Sequence, residues 1–342
     1  MSDNEVAVVI LNWNGRRWLE NFLPNVIRNS GEADIWVIDN ASDDDSVEYL
    51  RKNFPGVGVL QNSENYGFAG GYNAGLAKIS AKYYVLLNSD VAVEEGWLVS
   101  LKGFLENNPN VAAIQPKLRD YYRPEYFEYA GAAGGFIDML GYPFCRGRIF
   151  DTLETDEGQY DVARPVFWAT GACFFVRSKV FWEAEGLDER FFAHMEEIDL
   201  CWRIQRLGYE IYALPQVSAY HVGGATLPKS NPGKTFLNFR NNLMMLSKNL
   251  PAYHFWWVIP GRLLLDAVSG LSFLLKGQKG DFLAIIKAHW AFFSQISYVF
   301  GLRSQSGHFP GFAQLKGVCT VSIVWQYFIR RKRVFSDTCH EE

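Results

Sequence analysis

The sequence predicts an α/β protein, with a doubly wound, mostly parallel sheet over residues 1–230 and a helical extension over 231–342. Three observations lead there. Short apolar runs alternate with helical patterns through the first 115 residues, the signature of βαβ units and a parallel sheet. Four consecutive strand ends carry Asn, Asp or Gly, at the edge where such sheets bind ligands. Beyond residue 234 the pattern turns helical, strongly apolar and rich in aromatics.

The elements follow in order. The apolar run 7–11 reads as a strand and 17–29 as the helix returning from it. "DIWVID" is the second strand and 44–54 its helix. "VGVLQ" is the third, followed by a helix over 71–81. "YYVLLN" is the fourth, followed by a helix over 96–107 and then the strand "VAAIQ". Residues 120–165, rich in Gly, Tyr and Phe, read as an irregular or β-hairpin insertion. A strand over 173–176 comes next. In the helix over 196–207, Leu200, Ile204 and Leu207 form the apolar stripe and Asp199 precedes Arg203 by four residues, the favourable order for an ion pair. A strand over 209–214 follows, and the turn-rich stretch 230–233 marks a domain boundary.

Composition narrows the function. Of 342 residues, 49% are hydrophobic and 20% charged, so a substantial core can form. The net charge of -4 argues against nucleic acid as a partner. Cys145, Cys173, Cys201, Cys319 and Cys339 are odd in number and lack CxxC spacing, which suits a reducing compartment and gives neither a zinc site nor a disulfide framework. The first residues read as a short acidic stretch leading into a strand, not as a signal peptide. Arg262, Asp266, Lys276, Lys287, Arg303 and Lys316 interrupt the aromatic tail, which argues against a simple spanning helix of ~20 apolar residues.

The strand ends carry the chemistry. Asn12-Trp13-Asn14-Gly15, Asp39-Asn40-Ala41-Ser42, "NSENYGFAGGYNAGL" and Asn88-Ser89-Asp90 each suit turns and caps. Together at one edge they describe a polar ligand site. No GxGxxG follows the first strand and no GxxxxGK[ST] occurs, so dehydrogenase and phosphate-loop readings fail. Asp90, delivered by a hydrophobic strand, is either a cap or a ligand for a divalent cation that binds a nucleotide diphosphate. His221 in "YHVGG" is either structural or a second ligand. "FFAHMEEIDLCWR" packs Glu196, Glu197 and Asp199 among aromatic residues. Like charges and apolar walls raise carboxylate pKa values, which suits a general base. The alternative is a solvated helix start with acids favoured by the dipole.

The ordered set "VVILNWNG", "VIDNASDDDS", "NSENYGFAGGYNAGL", "YYVLLNSD", "WATGACFFVRSKVFWEAEGLDERFFAHMEEIDLCWRIQRLGY" and "HVGG" resembles the family 2 glycosyltransferases, within them the bacterial rhamnosyltransferase-like branch. The resemblance covers roughly residues 5–225 and implies a GT-A fold, that of nucleotide-diphospho-sugar transferases. It implies that Asp39 binds the donor's pyrimidine with Asn12 and Asn65 nearby. It places Gly67 and the segment to Asn73 along the nucleotide or diphosphate, with Ser89 and Asp90 at the donor. Asp90 would end a DxD-like motif and hold Mg²⁺ or Mn²⁺, with His221 as second ligand. The motif carries Asn88 and Ser89 where a second acid would stand. Glu197 takes the position of the family's Asp base, with Glu196 or Asp199 as substitutes; Trp168, Thr170, Gly171 and Asp199 are expected on the acceptor side, though Trp168 suits the core equally.

The expected reaction is inverting transfer of a sugar from a UDP- or dTDP-linked donor to a saccharide or lipid-linked saccharide in cell-surface polysaccharide synthesis. "YHFWWVIPGRLLLD", "AHWAFFSQISYVF" and "SIVWQYFIRRKR" set Trp and Phe beside basic residues, which suits peripheral contact of 250–335 with the inner face of a cell membrane. A helical subdomain packing on the enzyme or on a second copy, giving a homo-oligomer, fits the same pattern. Two other classes compete. A non-catalytic nucleotide-sugar scaffold would explain Glu at the base position. A sugar-nucleotide pyrophosphorylase needs a Gly-rich loop after the first strand, and "NWNGRRW" lacks the repeated glycines.

Overall fold

The structure is a computed structural model that describes residues 4–223, 231–305 and 309–339. Its centre is a nine-stranded mixed sheet. Strands β1 (Val6–Asn12), β2 (Ala33–Asp39), β3 (Gly58–Gln61) and β4 (Tyr83–Asn88) are mutually parallel in the order β3-β2-β1-β4. They alternate with α1 (Arg16–Asn29), α2 (Ser46–Asn53) and α3 (Gly67–Leu76). The third helix begins four residues before the expected start, because Gly67 at φ +72° makes the turn into it.

After β5 (Val91–Val93), α4 (Trp97–Asn107) leads to β6 (Val111–Asp120). The insertion takes the β-hairpin form of the two expected. Strands β7 (Gly135–Asp138), β8 (Pro143–Cys145), β9 (Arg148–Ile149) and β10 (Thr152–Leu153) form a separate antiparallel sheet. The chain then re-enters the main sheet through β11 (Arg164–Val166) and β12 (Cys173–Arg177). Strand β12 lies antiparallel between β4 and β6, which makes the sheet mixed. Helices α5 (Ser178–Glu183) and α6 (Glu196–Arg206) precede β13 (Glu210–His221), seven residues longer at its end than expected and parallel to β6. Parallel strands buried on both faces read as continuous apolar runs. Here Val6, Val8 and Ile10 pack with α1 and α4, whereas Ala7 and Val9 pack with α3.

The extension is helical: α7 (Pro232–Asn249), α8 (Ala252–Leu275), α9 (Lys279–Ser294) and α10 (Ile296–Gln305). Of the expected boundary at 230–233, Ser230 lies outside the described residues. Asn231 caps α7 by accepting the Gly233 N–H, and Pro232 opens it. The extension also returns to the insertion. Strand β14 (Val318–Cys319) adds in parallel to β7, and α11 (Phe335–Thr338) brings Phe335 against Phe136 and Phe144. All five cysteines are buried, and none is in a disulfide.

Candidate active site

Six strands run in one direction, so Asn12, Asp39, Gln61, Asn88, Asp120 and His221 end at one edge. The expected donor residues meet there. Asp39, buried, accepts the Asn12 amide at 3.1 Å and the Ser42 hydroxyl at 2.6 Å through one oxygen, and the Ser42 N–H at 3.0 Å through the other. Asn65 Oδ1 accepts the Gly67 N–H at 2.9 Å and the Asn40 amide at 2.8 Å. Asn40, not singled out in the sequence, ties the edge together: it also donates to the Gly67 carbonyl and accepts from Asn62 and the Tyr66 N–H. Ser89 lies beside Asn12 across Gly15.

Asp90 and His221 converge. His221 Nε2 stands 3.2 Å from Asp90 Oδ1 and its Nδ1 3.3 Å from Glu128 Oε1, all three side chains buried. Strand β13 reaches this edge only because it runs on to His221, opposite Asp120 of β6 and Val91 of β5. Burial alone would lower the His221 pKa, but the carboxylates of Glu128 and Asp90 outweigh it and raise it to about 10. Asp90 Oδ2 is buried without a hydrogen-bond partner.

An orphaned carboxylate oxygen beside an imidazole whose other nitrogen faces a carboxylate is a donor set that fits Mg²⁺ or Mn²⁺. Among the described residues no group of three or more His, Cys, Asp or Glu side chains is arranged to hold an ion alone. Glu128 gave no signal in the sequence, since it lies in the irregular stretch between β6 and β7.

The acid cluster opens α6, and its members diverge. Burial, then the nearby Glu197 and Asp199 charges, hold the Glu196 pKa well above the usual carboxylate range. Burial raises Glu197 to about 7, offset in part by backbone N–H groups at the helix start. One oxygen of each is buried and unpartnered. Asp199, expected on the acceptor side, instead faces the extension. It accepts Lys248 at 3.0 Å, Asn249 at 2.8 Å and Arg203 at 2.9 Å. Burial would raise its pKa, but Lys248 and Arg203 together with these bonds hold it below the ordinary value.

The acid cluster and the donor edge share the segment 170–172. A Cβ on Gly171 would lie 3.1 Å from the Phe68 ring and 3.9 Å from Glu197 Cβ, while the Ala172 carbonyl accepts the Asn88 N–H at 3.0 Å. Thr170 shapes that turn: its hydroxyl accepts the Ala172 N–H and its own N–H donates to Gln115. Two other expectations are corrected. Trp168 is a core residue, its indole N–H held by the Phe136 carbonyl at 2.9 Å. Asn73 bonds Leu187 through both ends of its amide, and lines a cavity of about 640 Å³ with Asp188, Lys248 and Tyr298 that none of the other donor residues reaches.

The first N–H groups of α3 are also taken: Phe68 and Ala69 donate to the Phe192 carbonyl at 2.6 and 3.3 Å. A Cβ at position 67 would stand 2.5 Å from that oxygen, so Gly67 permits this contact.

A mixed sheet with polar residues, an Asp–His pair and the Glu196–Glu197 pair at one edge has the architecture of the GT-A glycosyltransferases. Residues 7–184 match the model of glycosyl transferase family 2, and the chain belongs to that family. It is 24% identical over 276 residues to the N-acetylglucosaminyl-diphospho-decaprenol L-rhamnosyltransferase of Mycobacterium tuberculosis, covering 75% of this chain and 88% of the relative. It is 22% identical over 246 residues to the low-salt glycan biosynthesis hexosyltransferase Agl10 of Haloferax volcanii, covering 70% and 75%. Among solved structures, S. aureus TarS 1-349 in complex with UDP-GlcNAc superposes with a TM-score of 0.55 at 14% identity, over 87% of this chain and 83% of that one. GalNAc-T7 with UDP, GalNAc and Mn²⁺ gives 0.59 at 16% identity, over 76% of this chain and about half (51%) of that one.

Proposed function

We propose that the protein transfers a sugar, with inversion, from a UDP- or dTDP-linked donor to a saccharide or lipid-linked saccharide used in cell-surface glycan synthesis. The observation that carries the reading is that the 170–172 turn borders both groups: Ala172 bonds Asn88, which lies 3.3 Å from His221 beside Asp90, and Gly171 lies against the Cβ of Glu197. The names of the Mycobacterium and Haloferax relatives support the acceptor class. Asp39, Asn12 and Asn65 hold the nucleoside end of the donor. Asp90 and His221 would hold Mg²⁺ or Mn²⁺, which supplies positive charge where the diphosphate leaves. Glu197 takes the proton from the acceptor hydroxyl as that oxygen attacks the anomeric carbon, and Gly171 leaves room beside it for the acceptor. Glu196 is likewise held well above the usual carboxylate range, by burial and then by the nearby Glu197 and Asp199 charges.

The setting is the inner face of a membrane, and helix α8 supports it. The helix has 24 residues, a mean hydropathy of 1.6 in its most apolar window, and only 28% of that window buried. Its two charged residues point inward. Arg262 bonds the Gly141 carbonyl at 3.1 Å, and Asp266 pairs with His289 at 3.1 Å. The outward face carries Tyr253, Trp256, Leu264, Val268, Leu271 and Leu275, and α9 adds Ile286 and Trp290. Charges turned in and apolar side chains turned out suit a surface lying in the acyl boundary of a bilayer.

Calorimetry with UDP- and dTDP-sugars, with and without Mn²⁺, tests the donor reading. Metal-dependent binding of one nucleotide class, lost in Asp90→Ala, is expected. Binding of neither class, with or without Mn²⁺, would contradict it.

A further inference from the structure

Asn241 lies on α7, outside the segment matched by the family model, and is fully buried. Its side-chain amide donates to three carbonyls of one turn: Phe191 at 2.9 Å, Ala193 at 2.8 Å and His194 at 2.8 Å. A carboxamide has two N–H groups, so one of them is shared. Its oxygen accepts Arg240 Nε at 2.8 Å, which sets the amide's orientation toward the turn. Arg240 adds its own bonds to the Arg190 and Phe191 carbonyls.

The turn is conformationally unfavourable by itself. Phe192, His194 and Met195 have φ of 64°, 69° and 73°, and none is Gly. Such backbone persists where the surroundings over-determine it, and it concentrates at functional sites. Here the turn runs directly into Glu196 and Glu197, and its Phe192 carbonyl caps the start of α3 beside the donor edge.

We propose that Asn241 is a positioning residue for the acid pair: by clamping three carbonyls of the 191–194 turn it fixes the start of α6, and with it where Glu197 stands relative to the donor. This rests on the assignment of Glu197 as the base. The next residue supplies a control. Asn242 is equally buried but donates to the Gly141 carbonyl, away from the turn.

The test compares full-length Asn241→Leu with Asn242→Leu. Both lose a buried hydrogen bond and both lower Tm. Only Asn241→Leu is expected to speed hydrogen exchange in the peptide covering 188–199, by roughly tenfold or more. It is also expected to lower kcat on the order of 10–100-fold with donor KM within about twofold, since small misplacements of a catalytic group are costly. Asn241→Ser, which keeps one hydroxyl donor, falls between them. Unchanged exchange in 188–199, or kcat losses that follow Tm equally in both variants, would overturn the positioning role, while lost turnover in Glu197→Gln would leave the base assignment standing. A Glu197→Gln variant with wild-type turnover would overturn both.

Discussion

His221 stands between two buried carboxylates, with Nε2 3.2 Å from Asp90 and Nδ1 3.3 Å from Glu128. The arrangement gives each nitrogen a separate task. Glu128 lies at ion-pair distance from Nδ1 on one side of the ring, and Nε2 faces Asp90 on the other, the side proposed for the ion. Glu128→Gln therefore weakens Mn²⁺ affinity by about 10–100-fold, measured by electron paramagnetic resonance in the presence of nucleotide diphosphate. Because the imidazole must be neutral to ligate and its pKa is raised to about 10, Mn²⁺ affinity climbs as pH rises toward that value, with release of a proton. Affinity that is flat from pH 6 to 9 would contradict the assignment of His221.

The acid pair predicts a specific pH profile. Glu197 is raised to about 7 and must be ionised to act, so kcat rises with pH through that value. Glu196 is also raised, by burial and then by the nearby Glu197 and Asp199 charges, and is not the base, so Glu196→Gln leaves the acid limb in place. The stability sign is opposite. A carboxyl whose folded pKa is raised contributes stability that is fully present below its unfolded value near 4.5 and is lost as pH rises through about 7. Glu197→Gln flattens the fall in Tm over that window.

Lys248 and Asp199 form the buried link between extension and sheet domain. Removing the ammonium in Lys248→Met leaves the buried Asp199 with Arg203 as its remaining cation and strips Asp188 of the same partner, so the loss falls toward the lower end of the about 3–5 kcal/mol that breaking a buried pair costs. The double variant with Asp199→Asn recovers part of that loss, read as non-additivity in denaturant unfolding. Additive losses would mean the two groups do not interact.

The outward face of α8 predicts membrane binding. Trp256→Glu with Leu264→Glu abolishes flotation with anionic vesicles and leaves transfer to a soluble acceptor unchanged. Retained flotation would place the contact elsewhere, and a change in oligomeric state would show that the face meets a second copy.

The sheet was legible because strands β1, β2 and β4 announce themselves as apolar runs ending in Asn or Asp, at Asn12, Asp39 and Asn88. What stayed hidden depends on long-range contact. Strand β12 is an apolar run like the others, and nothing local shows that it enters antiparallel between β4 and β6. Trp168 and Asp199 sit within recognisable motifs, yet tertiary partners far along the chain, Phe136 and Lys248, turn them into the core and toward the extension. Arg262 and Asp266 seemed to break an apolar helix. In the structure they lie on its inner face, and their spacing of four residues was the available clue. Asn241 and Glu128 carried no local signal, since each acts through residues about 50 or more positions away.

The central claim is that Glu197 is the base of a sugar transfer. The most direct measurement is turnover and donor binding of Glu197→Gln beside wild type, with the nucleotide-sugar and metal that wild type binds. The account predicts a kcat reduced by about 10²–10⁴-fold, the usual contribution of a general base, with donor affinity unchanged. Turnover within a few-fold of wild type would contradict it.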